Sequence, residues 1–260
     1  MDIIMRKPFI GGNWKMNTDS KCAVELAKGV AQKCAGLLDR VDVSVCPPFV
    51  YLAAVKNAIG SAKVGLGAQD VYFEAKGAFT GEISCTMLKD VGCKDVIIGH
   101  SERRHVIGET NELINKKLIA AIDAGLLPIF CIGELLEERN AGKTEKVVKE
   151  QLQKGMAGIT VEKAKAITIA YEPVWAIGTG VNATPQQAQD VHLMIRQFIA
   201  SMYNKEFAAR IRIQYGGSAK PDNAAVLMSQ PDVDGLLVGG ASLKADDFAA
   251  MIKAAAEAKK

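Results

Sequence analysis

This 260-residue chain has little net charge and no strong clustering of one sign. It contains no block of five or more Lys or Arg residues, and its formal net charge is +3. A dedicated nucleic-acid surface needs denser positive charge, so we expect no nucleic-acid partner. No apolar run reaches the roughly 18 residues of a membrane helix, so we expect no membrane partner either. A weakly basic site for a small anionic metabolite remains compatible with this composition.

The patterns of metal and disulfide sites are also missing. No two cysteines form a Cys-x-x-Cys pair, which argues against zinc and thioredoxin-like sites, and the six are Cys22, Cys34, Cys46, Cys85, Cys93 and Cys131. The three histidines have no metal-ligand spacing either, at positions His100, His105 and His192. Residues 1–7 include no apolar segment of the length that a signal peptide requires, so we expect a cytoplasmic protein with reduced thiols.

What the chain does have is a repeated alternation of strands and helices. Eight short, continuously apolar runs predict strands at Phe9–Asn13, Val41–Cys46, Val64–Gly67, Val96–Ile98, Leu127–Ile132, Ala166–Tyr171, Ile211–Tyr215 and Gly235–Val238. Continuous rather than alternating apolar runs are typical of parallel strands covered by helices. Eight strand–helix units favour an α/β fold of the (β/α)8 TIM-barrel type, although a doubly wound open sheet also fits the pattern.

Helix signals and the absence of linkers complete this outline. Thr184 offers an N-cap, Pro185 stands at the first helical position, and Gln187 lies three residues after the cap. The stretch Asp246–Lys260, rich in Ala and Lys, predicts a final covering helix. No linker, repeat or low-complexity segment divides the chain, so we expect residues 1–260 to form a single domain.

Several candidate reactive residues follow the carboxyl ends of predicted strands, where barrels of this class carry their active sites. They are Asn13, Lys15, His100, Glu172 and two glycine pairs. Bare glycines let backbone N–H groups approach an anion closely. The segments Gly216-Gly217-Ser218 and Gly239-Gly240 therefore predict a phosphate site after the last two strands, while either pair alone would also suit an ordinary tight turn.

Glu172 is the candidate base. Pro173 keeps it extended, because the residue before a proline is excluded from the helical region. The apolar Val174-Trp175 beside it would withhold water and raise its basicity. Gly178 and Gly180 would let this segment open and shut as a lid. A base under such a lid suits removal of a carbon-bound proton, whereas a salt-bridged strand-end carboxylate is the plainer alternative.

Lys15 and His100 are the candidates for stabilising negative charge on a substrate oxygen. Lys15 is predicted to be a fixed positive charge, with a Schiff-base lysine and a solvated surface lysine as alternatives. His100 precedes Ser101-Glu102-Arg103-Arg104, a plausible first helical turn, and the helix dipole would keep its ring neutral. A purely structural histidine is the alternative. We expect Glu102 to support Lys15.

Other reactive side chains are expected to be structural. We place His105 and His192 on helices, Glu134 at a helix start, and Cys131 in strand packing. The stretch Gly178–Ala183 matches a dinucleotide fingerprint, but that fingerprint should follow a strand directly. Six residues separate it from the preceding predicted strand, so we expect no nicotinamide cofactor.

Five segments between about Pro8 and Phe248 resemble the triosephosphate isomerase family, in that family's order: Gly11–Asn17, Ile97–Arg104, Ala170–Gly180, Tyr215–Ser218 and Leu237–Ser242. The resemblance implies an isomerase that interconverts dihydroxyacetone phosphate and glyceraldehyde 3-phosphate through an enediolate, in glycolysis and gluconeogenesis. It implies catalysis by Lys15, His100 and Glu172, with no metal or organic cofactor. This family is itself the standard example of a neutral histidine at such a position.

The resemblance also implies the residues that hold the substrate and the partner subunit. Substrate would contact Asn13, Lys15, Gly178, Ser218, Gly239 and Gly240, and the residues supporting the site would be Ser101 and Glu102. Family members form homodimers through a long loop, here Ala68–Ser84, whose tip residue Thr80 would reach the partner's Lys15 and His100. From the residues alone, a loop folded over its own barrel is also possible. The family often has a lysine where this chain has Val181-Asn182, which leaves the lid-closing rate open.

Three rival functions stay open on the sequence. One is a Schiff-base aldolase using Lys15, and another is a non-enzymatic protein that binds phosphorylated sugars. The intact set of Lys15, His100 and Glu172 argues against binding alone, because binding needs no base under a lid. The third is a phosphoribosyl isomerase on the same barrel, which would lack the Glu172–Trp175 segment.

Overall fold

The computed structural model describes residues 6–177 and 183–258, and its strands form a closed barrel. The strands are β1 (Phe9–Asn13), β2 (Asp42–Cys46), β3 (Gly65–Ala68), β4 (Asp95–Ile98), β5 (Leu127–Ile132), β6 (Thr168–Tyr171), β7 (Ile213–Tyr215) and β8 (Gly235–Val238). Neighbours pair in parallel in chain order, and β8 closes the ring on β1. The (β/α)8 prediction is confirmed, and the open sheet is excluded because the eight described strands close into a ring.

All eight predicted strands are present, and three of them have the predicted bounds: β1, β5 and β8. The other five begin within two residues of the predicted positions. Their side chains are buried on both faces. One set forms a small cluster of its own, apart from the larger core: Phe9, Cys46, Ile97, Ile129, Cys131, Ala170 and Leu237. Burial on both faces explains why the strands read as continuous apolar runs.

Helices lie between the strands. They are α1 (Ser20–Cys34), α2 (Leu52–Ile59), α3 (Cys85–Asp90), α4 (Asn111–Asp123), α5 (Leu136–Asn140), α6 (Thr144–Gly155), α7 (Val161–Ala164), α8 (Pro185–Met202), α9 (Lys205–Arg210), α10 (Pro221–Met228) and α11 (Ala245–Ala258). A π-helical segment spans Arg103–Ile107, and short 3₁₀ helices span Val174–Ala176 and Gly240–Leu243. Among the helices, α1 packs against α2 and α11.

The predicted helix signals are present. The Gln187 N–H donates to Thr184 Oγ1 at 3.1 Å, and the Thr184 N–H donates to Gln187 Oε1 at 2.9 Å. This reciprocal capping box begins α8 at Pro185. Helix α11 begins one residue before the predicted start and buries Phe248 and Ile252. None of the described helices combines the length and apolarity needed to cross a membrane.

Candidate active site

A cavity of about 740 Å³ opens at the carboxyl ends of the strands. The sequence-predicted residues that line it are Asn13, Lys15, His100, Glu172, Gly216, Gly217, Ser218, Gly239 and Gly240. These residues come from the ends of β1, β4, β6, β7 and β8, so barrel closure brings together positions that are up to 227 residues apart in the chain. Gly178 lies outside the described residues.

Glu172 is buried directly after β6, with 2% of its surface exposed. Its Oε2 accepts the Ser101 N–H at 2.9 Å, and its Oε1 lies 2.9 Å from His100 Nε2. A Cβ added at Gly216 would come 2.8 Å from Glu172 Cγ. The glycine therefore has a packing role here, because any larger residue would push against the carboxylate side chain.

The expected rise in the basicity of Glu172 is not found in this arrangement. Burial opposes the charged form and raises the pKa of Glu172, but His100 and the Ser101 N–H stabilise the carboxylate. The resulting pKa lies below the ordinary value. The apolar Val174-Trp175 was expected to set the environment of the Glu172 carboxylate, but the groups in contact with it are the Ser101 N–H and the His100 ring.

The His100 ring has a defined tautomer in this arrangement. The Glu102 N–H donates to Nδ1 at 3.2 Å, which requires an unprotonated Nδ1 and places the ring proton of a neutral histidine on Nε2. Burial lowers the pKa of His100, but the Glu172 carboxylate facing Nε2 outweighs burial and raises it above the ordinary value. This direction is opposite to the one expected from the helix dipole, and the increase depends on the carboxylate remaining at Nε2.

Lys15 has an uncommon backbone conformation, with φ of 52°. Its N–H donates to Asn13 Oδ1 at 3.0 Å, and its carbonyl accepts from Gln69 Nε2 at 2.8 Å. The Lys15 ammonium lies 2.5 Å from Glu102 Oε1, so the expected support by Glu102 is present as an ion pair. A Cβ added at Gly239 would lie 3.9 Å from Lys15 Nζ, which places the ammonium beside a predicted phosphate turn.

The two predicted phosphate turns both line the cavity. The Ser218 N–H donates to the carbonyl of Ala176 at 3.1 Å, which ties the first turn to the segment after Glu172. Gly240 begins the 3₁₀ helix after β8. The first backbone N–H groups of a helix have no partner within it, so this turn suits an anion.

Glu134 is not the helix-start acid that the sequence suggested. It is fully buried before α5 and accepts hydrogen bonds from the Tyr171 hydroxyl at 3.1 Å and from Trp175 Nε1 at 2.9 Å. Arg139 lies 3.3 Å from the same carboxylate, and its guanidinium stands 4.4 Å from the centre of the Trp175 ring. Glu134 therefore anchors the start of the lid segment, a role that no local sequence signal indicated.

Several remaining residues lie where the sequence analysis placed them. His105 is exposed on the π-helical segment, and His192 is buried on α8. Cys131 is buried in β5, and burial raises the pKa of its thiol well above the ordinary value. Gln69, which no sequence signal singled out, bridges the Lys15 and Cys46 carbonyls. Among the described residues, no group of three or more His, Cys, Asp or Glu side chains is arranged to hold a metal ion.

The long loop after β3 is exposed over much of its length. Residues 74–82 are exposed in succession, and Thr80 lies among them. Tyr72, near the start of the loop, contacts Phe73 and Phe79, with ring centroids 4.5 and 4.9 Å from its own. Met16, on the same active-site face, is 96% exposed. A loop folded flat over its own barrel would bury these residues, so the exposed tip favours the projecting alternative.

Comparison with known proteins agrees with this geometry. The sequence model of the triosephosphate isomerase family matches residues 8–255. Proteins named triosephosphate isomerase from Carboxydothermus hydrogenoformans, Moorella thermoacetica and Rhodopirellula baltica are 55%, 52% and 51% identical to this chain. The matches cover 96%, 95% and 97% of this chain, and 99%, 98% and 99% of the respective relatives.

Proposed function

Since the chain belongs to the triosephosphate isomerase family, we propose that Glu172, His100 and Lys15 carry out its reaction in the cavity at the carboxyl ends of the strands. The chain is an intramolecular isomerase that interconverts dihydroxyacetone phosphate and glyceraldehyde 3-phosphate, a step of glycolysis. The observation that carries the residue assignment is the contact between Glu172 and His100 in a cavity that also holds two phosphate turns.

Glu172 is the base in this proposal. Its carboxylate takes the proton from the carbon beside the carbonyl and returns it to the neighbouring carbon, so no atom is gained or lost overall. Both of its oxygens are engaged before substrate enters, by Ser101 and His100. Loss of these donors on substrate binding would raise the pKa of the buried carboxylate, because burial alone favours the neutral acid. Glu172 would therefore be a stronger base when substrate is bound than in the free protein.

His100 and Lys15 stabilise the negative charge that develops on the substrate oxygens. The Nε2–H of a neutral His100 donates to the carbonyl oxygen and then moves the hydroxyl proton between the two oxygens. The Lys15 ammonium and the Asn13 amide stabilise the enediolate from the β1 side. Such preorganised donors would act strongly once closure of the lid excludes water from the cavity.

The phosphate group would be held by backbone N–H groups of Ser218, Gly239 and Gly240, and by Gly178 on the lid. Its position at the last two strands is the common one for phosphate in barrels of this class. Ser218 already contacts Ala176, so phosphate binding and closure of the lid would be coupled through this turn. Closure would exclude water and prevent loss of phosphate from the enediolate.

We further propose that the protein is a cytoplasmic homodimer. The projecting loop would pass from one protomer to its partner, and Thr80 would contact the partner's Lys15 and His100. The exposed loop tip and the exposed Met16 beside the cavity support this arrangement. Sedimentation equilibrium tests it. A Thr80→Arg variant should shift the protein toward monomer and lower its activity, whereas an unchanged mass and rate would contradict the role of Thr80.

The test of the catalytic assignment is the initial rate of glyceraldehyde 3-phosphate conversion, measured for the wild-type and Glu172→Gln proteins. The variant keeps the shape of the side chain but lacks the base. Its kcat should therefore fall by about 10²–10⁴-fold. A Glu102→Gln protein serves as control, because it removes a nearby carboxylate outside the proton path. Borohydride trapping of substrate on Lys15 would instead support an aldolase, and the isomerase mechanism predicts none.

A further inference from the structure

A second cavity lies at the opposite mouth of the barrel, and the isomerisation does not use it. Its volume is about 420 Å³, and it is bounded by the amino ends of β5, β6 and β7 and by the residues before β1. Ten of the described residues line it, and none of these ten carries a carboxylate. Half of the lining residues are cations: Arg6, Lys7, Lys165, Arg210 and Arg212. We call this the basal cavity.

We propose that the basal cavity binds a small polyanion that carries phosphate groups. Its volume falls within the roughly 300–1,000 Å³ that is usual for small-molecule sites. An arginine guanidinium can donate two parallel hydrogen bonds to two oxygens of one phosphate group. This bidentate contact strengthens binding and fixes the orientation of the phosphate. The remaining lining includes the apolar residues Leu127, Ile167 and Ile211.

Two of the arginines, Arg210 and Arg212, retain donors that could reach a ligand. Within the described part of the chain, the side-chain hydrogen bond of Arg212 is the one from Nη1 to Asp42 Oδ2, at 2.6 Å. Its guanidinium lies 4.8 Å from the centre of the Phe9 ring, which fixes its plane. Arg210 uses Nη2 for a 3.2 Å ion pair with Glu206. A guanidinium has five N–H donors, so both groups keep several for an anion.

The existing ion pairs of these cations do not prevent binding. Lys165 pairs with Glu162 and Arg210 with Glu206, and both cations are more than half exposed. Exposed ion pairs contribute little to stability, so an anion of higher charge can replace the carboxylate partner. Arg6 differs, because its three guanidinium nitrogens already bind Asp234 and the carbonyls of Ala209 and Pro231. It would act through its charge alone.

Binding at the basal cavity should leave turnover unchanged. Strand β1 runs between the two mouths, and its five residues span about 17 Å at roughly 3.3 Å per residue. This separation prevents contact between the basal ligand and Glu172 or His100. Binding to the folded chain alone should instead stabilise the fold by mass action.

The experiment is isothermal titration of intact protein with sodium tripolyphosphate, while the catalytic cavity is saturated with a phosphorylated hydroxamate analogue of the enediolate. We expect one saturable site per chain. The double variant Lys165→Ala with Arg210→Ala should weaken binding by roughly tenfold or more, because two of the direct phosphate ligands are lost. Its kcat and melting temperature without tripolyphosphate should match those of the wild type.

The matched control is Lys21→Ala with Lys154→Ala, which also removes two exposed, ion-paired cations, from α1 and α6. It should bind tripolyphosphate like the wild type. The proposal is overturned by an absence of saturable binding, or by equal weakening in both double variants, which would indicate general charge attraction. Binding of long RNA but not of tripolyphosphate would also overturn it, because that result would indicate an open nucleic-acid surface instead.

Discussion

Nε2 of His100 lies 2.9 Å from Oε1 of Glu172, so the proposed acid and base are in direct contact before substrate enters. The other ring nitrogen accepts the Glu102 N–H, and the other carboxylate oxygen accepts the Ser101 N–H. Each proposed catalytic group thus has one backbone partner that fixes its orientation. A substrate oxygen entering between them would replace the carboxylate as the acceptor at Nε2.

Replacing His100 by Gln should lower kcat by about 10²–10⁴-fold and change KM much less, because His100 acts on charge that is largest in the transition state. Steady-state kinetics in both directions would measure this. The control is His105→Gln, a change at an exposed position of the helical segment that follows His100, which should stay within about twofold of wild type. Equal losses in the two variants would point to folding rather than catalysis.

Replacing Glu102 by Gln should have a smaller effect on the kinetics, and most of it should be an increase in KM. The Glu102 side chain is 49% exposed, and exposed ion pairs contribute at most about 1 kcal/mol, or roughly fivefold. Its loss would leave the Lys15 ammonium without a fixed position for the anionic substrate. Glu25→Gln breaks a comparable exposed pair with Lys21 and should leave KM unchanged. A hundredfold fall in kcat for the Glu102 variant would require a direct chemical role.

Trp175→Phe should destabilise the protein by about 1–3 kcal/mol, because it removes a donor to the buried Glu134 carboxylate while keeping a large ring. Tyr171→Phe removes another donor to the same group. Urea denaturation of both single variants and of the double variant would measure the coupling between the two hydrogen bonds. Since they share one acceptor, the two free-energy losses should not add. Strict additivity would show that Glu134 does not act as a common anchor.

His192 should make stability depend on pH. It is fully buried, and burial lowers its pKa to about 4, compared with about 6.5 in an unfolded chain. Between these values the unfolded state binds a proton that the folded state does not. The stabilisation is therefore fully present above about pH 6.5, and it falls by up to about 1.4 kcal/mol per pH unit as pH drops toward 4.

The measurement is the free energy of unfolding at pH 7, 6 and 5 for wild type and His192→Gln. The advantage of wild type over the variant should shrink as pH falls. Taking this difference removes the contribution of Asp95, whose pKa is raised to about 6 by burial and which acts in the opposite sense. Stability curves that run parallel over this range would show that His192 does not carry the pH dependence.

Local sequence signals were sufficient for the elements and for the position of the site. The apolar runs predicted all eight strands, and the Thr184–Gln187 box predicted the start of α8, because strand burial and helix capping depend on residues close together in the chain. Glu172, His100 and Lys15 follow strand ends, so the shared orientation of parallel strands alone placed them on one face. Strand starts were predicted less well, since they depend on pairing with neighbours.

The sequence by itself determined the barrel, its polar face and the residue types that meet there. Only the tertiary structure decided what each of those residues touches. Glu172 lies 72 positions from His100 and 71 from Ser101, and these two partners, His100 foremost, reversed the expected direction of the Glu172 pKa shift. Glu134 became the anchor of Trp175 for the same reason. The free energy of a buried charge depends on donors that lie close in space, and their identity is set by strand pairing around the ring.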